Sequence, residues 1–358
     1  MKRHRITIET PFLRHFIAFY GNFGLHLRPV SRANPASFLN LFFSSGLIIF
    51  LNVCMFSLLK NQLQMSEYFM HQNRKPLFAM ALSSISLLSP YIFNISMTYF
   101  LLKGGQISRL LDSKCFSSRA MPSFLNHRWT VPVFFLVDQT SFLYLFMQYI
   151  VGFQENFHFF YSIIMYYTNQ VPAVLFRLIT YYKFCTWKAL VAIEMSSAAE
   201  SELVMNKVST LATVNRQLNC LFSPPLFLFT VFHAMQMLTL MCGVFSRGFD
   251  VNGFLVFLYI FAYLLSICFF CQQIEFSLGR ITKTDHLLKA LFNASSSQKL
   301  NSADHSTTTT KFHLHHLPCI YGNNMQLQIF SIFTFSSSFL MALTLFLLNY
   351  AILLVQTK

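Results

Sequence analysis

Asp138 is the only acidic residue well inside an apolar stretch of this chain, and Arg177 is the only basic one. A lone charge in lipid costs several kcal/mol, so each needs a partner or a route to water. Measured from the same side of the membrane, Asp138 lies about two helical turns deep and Arg177 about one and a half. Two arrangements fit these depths. Either the side chains pair, or Arg177 snorkels to the interface while Asp138 faces an internal water. A second group carries hydrogen-bonding chemistry: Tyr144, Gln148, Tyr166, Tyr167, Asn169, Gln170, His233, Gln236, Tyr259 and Tyr263 fall in the middle or outer part of their stretches. Sparse polar groups among apolar ones are what a small-molecule pocket needs. The same residues also suit interhelical hydrogen bonds and an aromatic belt. Finally, Thr344, Asn349 and Gln356 punctuate the last apolar stretch, where they suit a wet lining or polar contacts between helices.

Signatures of catalysis are missing. The sequence contains no HExxH, GxSxG or GxxxxGK[ST] pattern and no paired carboxylates within a stretch, so no enzymatic activity is expected. His313, His315 and His316, near Cys319, lack the i, i+4 spacing of a helical metal site and read as a polar face. No metal or cofactor is expected. The 8 cysteines include no CxxC pair, which argues against a zinc site or a disulfide framework.

The elements that position these residues follow from composition. Hydrophobic residues make up 54% of the 358, charged residues only 11%, and Phe alone occurs 44 times. A water-soluble surface cannot be built from so few charges, whereas a bilayer needs none. The net charge of +14 raises nucleic-acid binding, but no basic run has the length of such a patch. Seven stretches are long and apolar enough to cross the hydrocarbon layer: about 37–59, 76–102, 131–152, 157–182, 219–244, 252–273 and 328–355. Each must be helical, because backbone groups find no water there. The class is therefore all-α and polytopic, with a segment 1–36 ahead of a seven-helix domain 37–358.

Lys and Arg orient the bundle. The N-terminal tail and the loops after stretches two, four and six hold six, five, four and five of them, twenty in all. The opposite side holds five. The N-terminus is accordingly cytoplasmic and the C-terminus extracellular, as expected of a multi-pass protein of the plasma membrane. Residues 183–218 contain no Gly or Pro and are rich in Ala, Leu, Glu, Met and Lys, so helices four and five are expected to run on into the cytoplasm. A similar extension is expected within 274–327, followed by a polar low-complexity loop in 293–310. Apolar residues in Trp187 to Met205, notably Leu190, Val191 and Ile193, are expected to bury surface between chains.

The last stretch, FTFSSSFLMALTLFLLNYAILLVQTK, resembles the C-terminal signature of arthropod gustatory receptors, in which an aromatic lead-in precedes Thr-Tyr, five apolar residues and Gln-Phe. Tyr350 and Gln356 stand at that spacing around AILLV, and Phe333, Thr334 and Phe335 resemble the lead-in. Asn349 replaces the Thr and Thr357 replaces the Phe. PFLRHFIAFYGNFGLHLRP resembles the family's N-terminal segment, and VNRQL (214–218) its Ile-Asn-x-x-Leu element.

The resemblance implies a divergent chemosensory receptor that is a ligand-gated cation channel. It implies a homotetramer or a heterotetramer with related receptors, with the last helix lining one pore (about 328–355) and cytoplasmic helix ends as the anchor. A small-molecule tastant would bind in the outer half of the bundle, among Tyr144, Gln148, Tyr167, Gln170, His233, Gln236, Tyr259 and Tyr263. The gate would lie at Gln356 and Thr357, near Asn349 and Tyr350. Because Thr is a poor dewetting group, Val355 or Leu353 would supply the apolar ring, and Leu353 shares the face of Gln356. A G-protein-coupled or other serpentine receptor, which requires the opposite orientation, and a non-channel transporter or scaffold are the alternatives.

Overall fold

The computed structural model describes residues 10–21, 27, 39, 41–50, 52–53, 76–113, 116, 127–136, 157–196, 201–247, 258, 261–281, 324–330 and 333–356. Along the long helices, side chains are described from 91 in the 76–111 helix, from 171 in the 157–196 helix, and between 204 and 238 in the 201–247 helix. These residues form helices α1 (Pro11–Gly21), α2 (Leu41–Phe50), α3 (Pro76–Leu111), α4 (130–136), α5 (Phe157–Ser196), α6 (Ser201–Arg247), α7 (Phe261–Ile281) and α8 (Ser337–Gln356). A two-stranded antiparallel hairpin, β1 (Gln328–Ile329) and β2 (Phe333–Thr334), precedes α8.

α6 is the hub, packing against α3, α5, β1 and α8. Its 47 residues make about 70 Å of helix, more than twice the thickness of a hydrocarbon layer. α5, at 40 residues, is about 60 Å long. Both run without a break through the helix-forming sequences on either side of residues 197–200, and Pro90 and Pro172 leave α3 and α5 continuous. Where these helices meet, the face of VNRQL explains itself. Asn215 and Leu218, three apart, are both fully buried, and Asn215 accepts a bond from Thr186 of α5 at 3.0 Å.

Pro224 and Pro225 sit inside α6. Proline has no N–H, so the carbonyl four residues before it loses its helical donor. For Pro225 that carbonyl is Leu221, and the Tyr99 hydroxyl of α3 fills the gap at 2.6 Å. Asn52, two residues past α2, is tied to α3 as well, accepting from Asn94 at 2.9 Å.

The N-terminal segment contributes a packed helix. Phe12, Leu13, Phe16, Ile17 and Tyr20 form the buried face of α1. Thr10 caps it, accepting from the Arg14 N–H, and both its own N–H and hydroxyl donate to Asp112 just past α3. Pro11 then occupies the first helical position, where its missing donor costs nothing.

Two expectations change. The last helix begins at Ser337 rather than near 328, because Gln328–Ile329 and Phe333–Thr334 pair as strands and Ser336 caps the helix, its hydroxyl accepting from the Phe339 N–H at 3.2 Å. Leu190 and Ile193 are consumed by the chain's own core, so neither is free to bury surface against another copy. Of stretches three and six, residues 137–150 and most of 252–260 lie outside the described residues, as do 282–323 with His313, His315 and His316.

Candidate functional site

Two of the pocket candidates meet on one aromatic ring, and the membrane arginine lies over one of them. Phe176 of α5 stacks on Tyr263 of α7 at 5.7 Å and meets His233 of α6 at 5.8 Å. Phe229 and Phe232 complete the surround of His233, which is buried. One residue along α5, the Arg177 guanidinium lies over the rings of Phe134 and Tyr263, 4.6 and 5.7 Å from their centroids, and donates to the Phe134 carbonyl at 2.9 Å. Aromatic faces and a backbone carbonyl are the partners a cation needs where water is scarce. Asp138, four residues after Phe134 in sequence, is outside the described residues, as are Tyr144, Gln148, Tyr259 and Thr357. Tyr167 and Gln170 lie on the described backbone of α5, Gln236 on that of α6 and Val355 on that of α8, but their side chains are not among those described.

α8 sorts its residues by face. Leu340, Leu343, Thr344 and Leu347 lie on its covered side. Ser338, Ala342, Leu345, Asn349, Leu353 and Gln356, spaced at four, three, four, four and three, form the opposite stripe, and all six are exposed within the chain. Leu345 and Leu353 keep 54% of their surface. Tyr350 points to a third side, its ring against Phe346 at 4.5 Å.

Sequence reasoning missed the base of α8. Lys183 was counted as a loop charge and Asn219 as the edge of a stretch, yet both are buried and both grip the segment before the hairpin. The Asn219 amide donates to the carbonyls of Asn324, at 3.1 Å, and Gln326. The Lys183 ammonium donates to the Met325 carbonyl between them and to Asn219 Oδ1 at 3.4 Å, and lies over the Tyr182 ring. The Tyr182 hydroxyl donates to the same Asn219 oxygen. Further along, the Phe330 N–H donates to Ser223 Oγ at 2.7 Å, and Phe330 holds a left-handed φ of 48°. Burial, with only neutral acceptors in reach, pushes the Lys183 amine down from 10.5 to about 8. The signal available in the sequence was a lysine directly after two tyrosines, in register with Thr186 and facing Asn215 and Asn219.

No protein-family model matches the sequence, and no curated protein matches it. Solved structures do. The insect olfactory receptor OR5 from Machilis hrabei superposes with a TM-score of 0.58 at 11% identity, covering 97% of this chain and 100% of that one. The same receptor in complex with eugenol gives 0.61 at 12% identity, covering 97% and 99%. The likeness is one of fold: this chain has the all-α, seven-helix membrane fold of that receptor. Among the described residues, Asn206–Met235 and Phe261–Ile281 are long and apolar enough to cross a membrane.

Proposed function

We propose that the chain is a chemosensory receptor of gustatory type acting as a ligand-gated cation channel in the plasma membrane, with its N-terminus inside. Four copies, identical or with related subunits, bring α8 together around one pore. The observation that carries this reading is the stripe on α8. A helix that served only as a core element would not leave Ser338, Ala342, Leu345, Asn349, Leu353 and Gln356 uncovered on one face while its opposite face is packed. Small and polar residues at one end of the stripe and in its middle let water in, and the ring of Leu353 beneath Gln356 closes it by dewetting.

The ligand is a small, mostly apolar molecule. The aromatic cluster of Phe176, His233 and Tyr263 offers rings and one imidazole, chemistry that suits a phenol-like compound such as the eugenol bound by the receptor of like fold. Asp138 pairs with Arg177 close by. Residues 1–36 form the cytoplasmic segment and 37–358 the seven-helix domain, with the ends of α5, α6 and α7 extending into the cytoplasm.

The test is electrical. In a planar bilayer, Leu353→Ala raises basal current, Gln356→Glu changes cation selectivity, and Thr357→Phe lowers basal current by restoring an aromatic ring. Indifference of current and selectivity to all three would remove α8 from the pore. An epitope after Lys358 stains intact cells, and one before Met1 only permeabilised cells; the reverse pattern would refute the orientation.

A further inference from the structure

The described residues between 324 and 336 are a helical end at 324–325 followed by irregular and strand backbone, packed between three helices, and side chains meet many of their polar groups. Carbonyls of residues 324, 325 and 326 face Asn219 and Lys183. The Leu327 N–H donates to Cys271 Sγ of α7, the Phe330 N–H to Ser223, and the Ser336 carbonyl accepts from Cys268 Sγ at 3.4 Å. Outside the buried layer the Gln326 amide donates to Glu275. Among the described residues, the hairpin closure from the Phe335 N–H to the Leu327 carbonyl, 2.8 Å, the strand pairing and the Leu340 N–H on the Ser336 carbonyl are backbone to backbone. Such a segment has no fold of its own; it keeps its shape while the groove holds it. It is also the only described covalent link between α7 and the pore helix, ending at the capping residue Ser336.

Lys183 is the unusual member. An ammonium in a fully buried site normally faces a carboxylate, whereas its partners among the described residues are the Met325 carbonyl, the Asn219 amide oxygen and the Tyr182 ring, with the Cys271 thiol nearby. Leucine or methionine would fill the space without the desolvation penalty. A charge kept there makes the groove's hold on the 324–326 carbonyls strong when closed and unstable when partly open, which is the property of a two-position contact.

We propose that Lys183 and Asn219 form a latch through which α5 and α6 hold the base of α8, and that the latch releases when the pore opens. The inference rests on the reading of α8 as the pore helix. It makes both residues positioning residues, transmitting movement in the α5–α6–α7 bundle, where Phe176, His233 and Tyr263 meet, to the pore.

Two thiols report on the latch. Cys268 and Cys271 are buried beneath the segment, while Cys185 is buried elsewhere on α5, with its thiol pushed up to about 12 by burial. The full-length protein in lipid nanodiscs is treated with N-ethylmaleimide at one fixed pH, and each site is followed by mass spectrometry. Lys183→Met and Asn219→Leu are expected to speed modification of Cys268 and Cys271 by about tenfold, leaving Cys185 unchanged. Thr186→Val, which removes the bond to Asn215 one turn away, behaves like the parent chain. Equal acceleration at Cys185 would mean general loosening and would overturn the latch, as would no acceleration at Cys271. Should Lys183→Met fail to fold, the near-isosteric Asn219→Leu decides alone.

Basal current in the same variants tests release. It rises about fivefold or more in the two latch variants and not in Thr186→Val; labelling that changes without current, in a chain that conducts, overturns the gating role. If the parent chain never conducts yet labelling follows the pattern, the tie stands and the channel reading falls.

Discussion

The base and the shaft of the last element are neighbours in sequence and opposites in structure. In the base, Met325, Leu327, Ile329 and Phe335 are buried, and side chains from α5, α6 and α7 satisfy the backbone. In the shaft, α8 satisfies its own backbone and leaves Met341 at 69% exposure and Leu345 and Leu353 at 54%. A helix can stand in lipid or beside another copy because its polar groups are already paired; an irregular segment must be housed in protein. One end is therefore fixed to its own chain, and the other is left available to whatever surrounds it.

That contrast can be broken most severely at the base. Phe222 of α6 is buried and stacks on Tyr182 at 5.4 Å. Phe222→Ala is expected to cost about 3–5 kcal/mol, seen as loss of the folded peak in size-exclusion chromatography or a large drop in melting temperature. Next in size is a pH effect. Lys183 titrates near 8 in the folded chain and at 10.5 when exposed, so in between the unfolded state holds more protons. Stability therefore rises with pH through the window from 8 to 10.5, by up to about 3 kcal/mol, and is flat below 8 as far as this group is concerned. Tyr182, Cys271 and, beyond it, Glu275 are the ionisable groups nearest Lys183. Melting temperatures of the parent chain should climb relative to Lys183→Met between pH 8 and 10; parallel curves would show that the amine is not desolvated.

Tyr99→Phe comes third. It leaves the Leu221 carbonyl without its donor at the proline break, for a loss of about 1–2 kcal/mol in thermal or denaturant unfolding. Smallest is Phe346→Ala in the shaft, under about 0.5 kcal/mol on the chain's own stability, because that ring is exposed. A large effect there would mean that the shaft, too, is held by its own chain.

The apolar stretches gave away the helices, since length and composition alone decide what can cross lipid. The run of Ala, Leu, Glu, Met and Lys around 183–218 likewise signalled helix where α5 and α6 continue. The hairpin did not show, because the apolar residues Ile329, Phe330, Phe333 and Phe335 read straight on into the apolar helix, and Ser336 marked the true start. At the site, His233 and Tyr263 were legible as polar groups among apolar ones, and the structure joins them through Phe176. Lys183 was not, because a lysine just past an apolar stretch has the same sequence signature whether it points to water or into a groove. Its partner lies 142 residues away, beyond the reach of any local pattern.

That separation has a consequence for how the protein is made. Lys183 and Asn219 leave the ribosome long before Asn324, Met325 and Gln326. At about 5–20 residues per second, the interval from Lys183 to its carbonyl partner is roughly 7–30 s. During that time an amine and an amide stand at the mouth of an unfilled groove, already carried by helices that have no further use for water. The nascent chain must keep them wet or covered until Asn324, Met325 and Gln326 arrive. A message truncated anywhere upstream of Asn324 would leave that groove permanently open, marking the incomplete chain as one for quality control to remove.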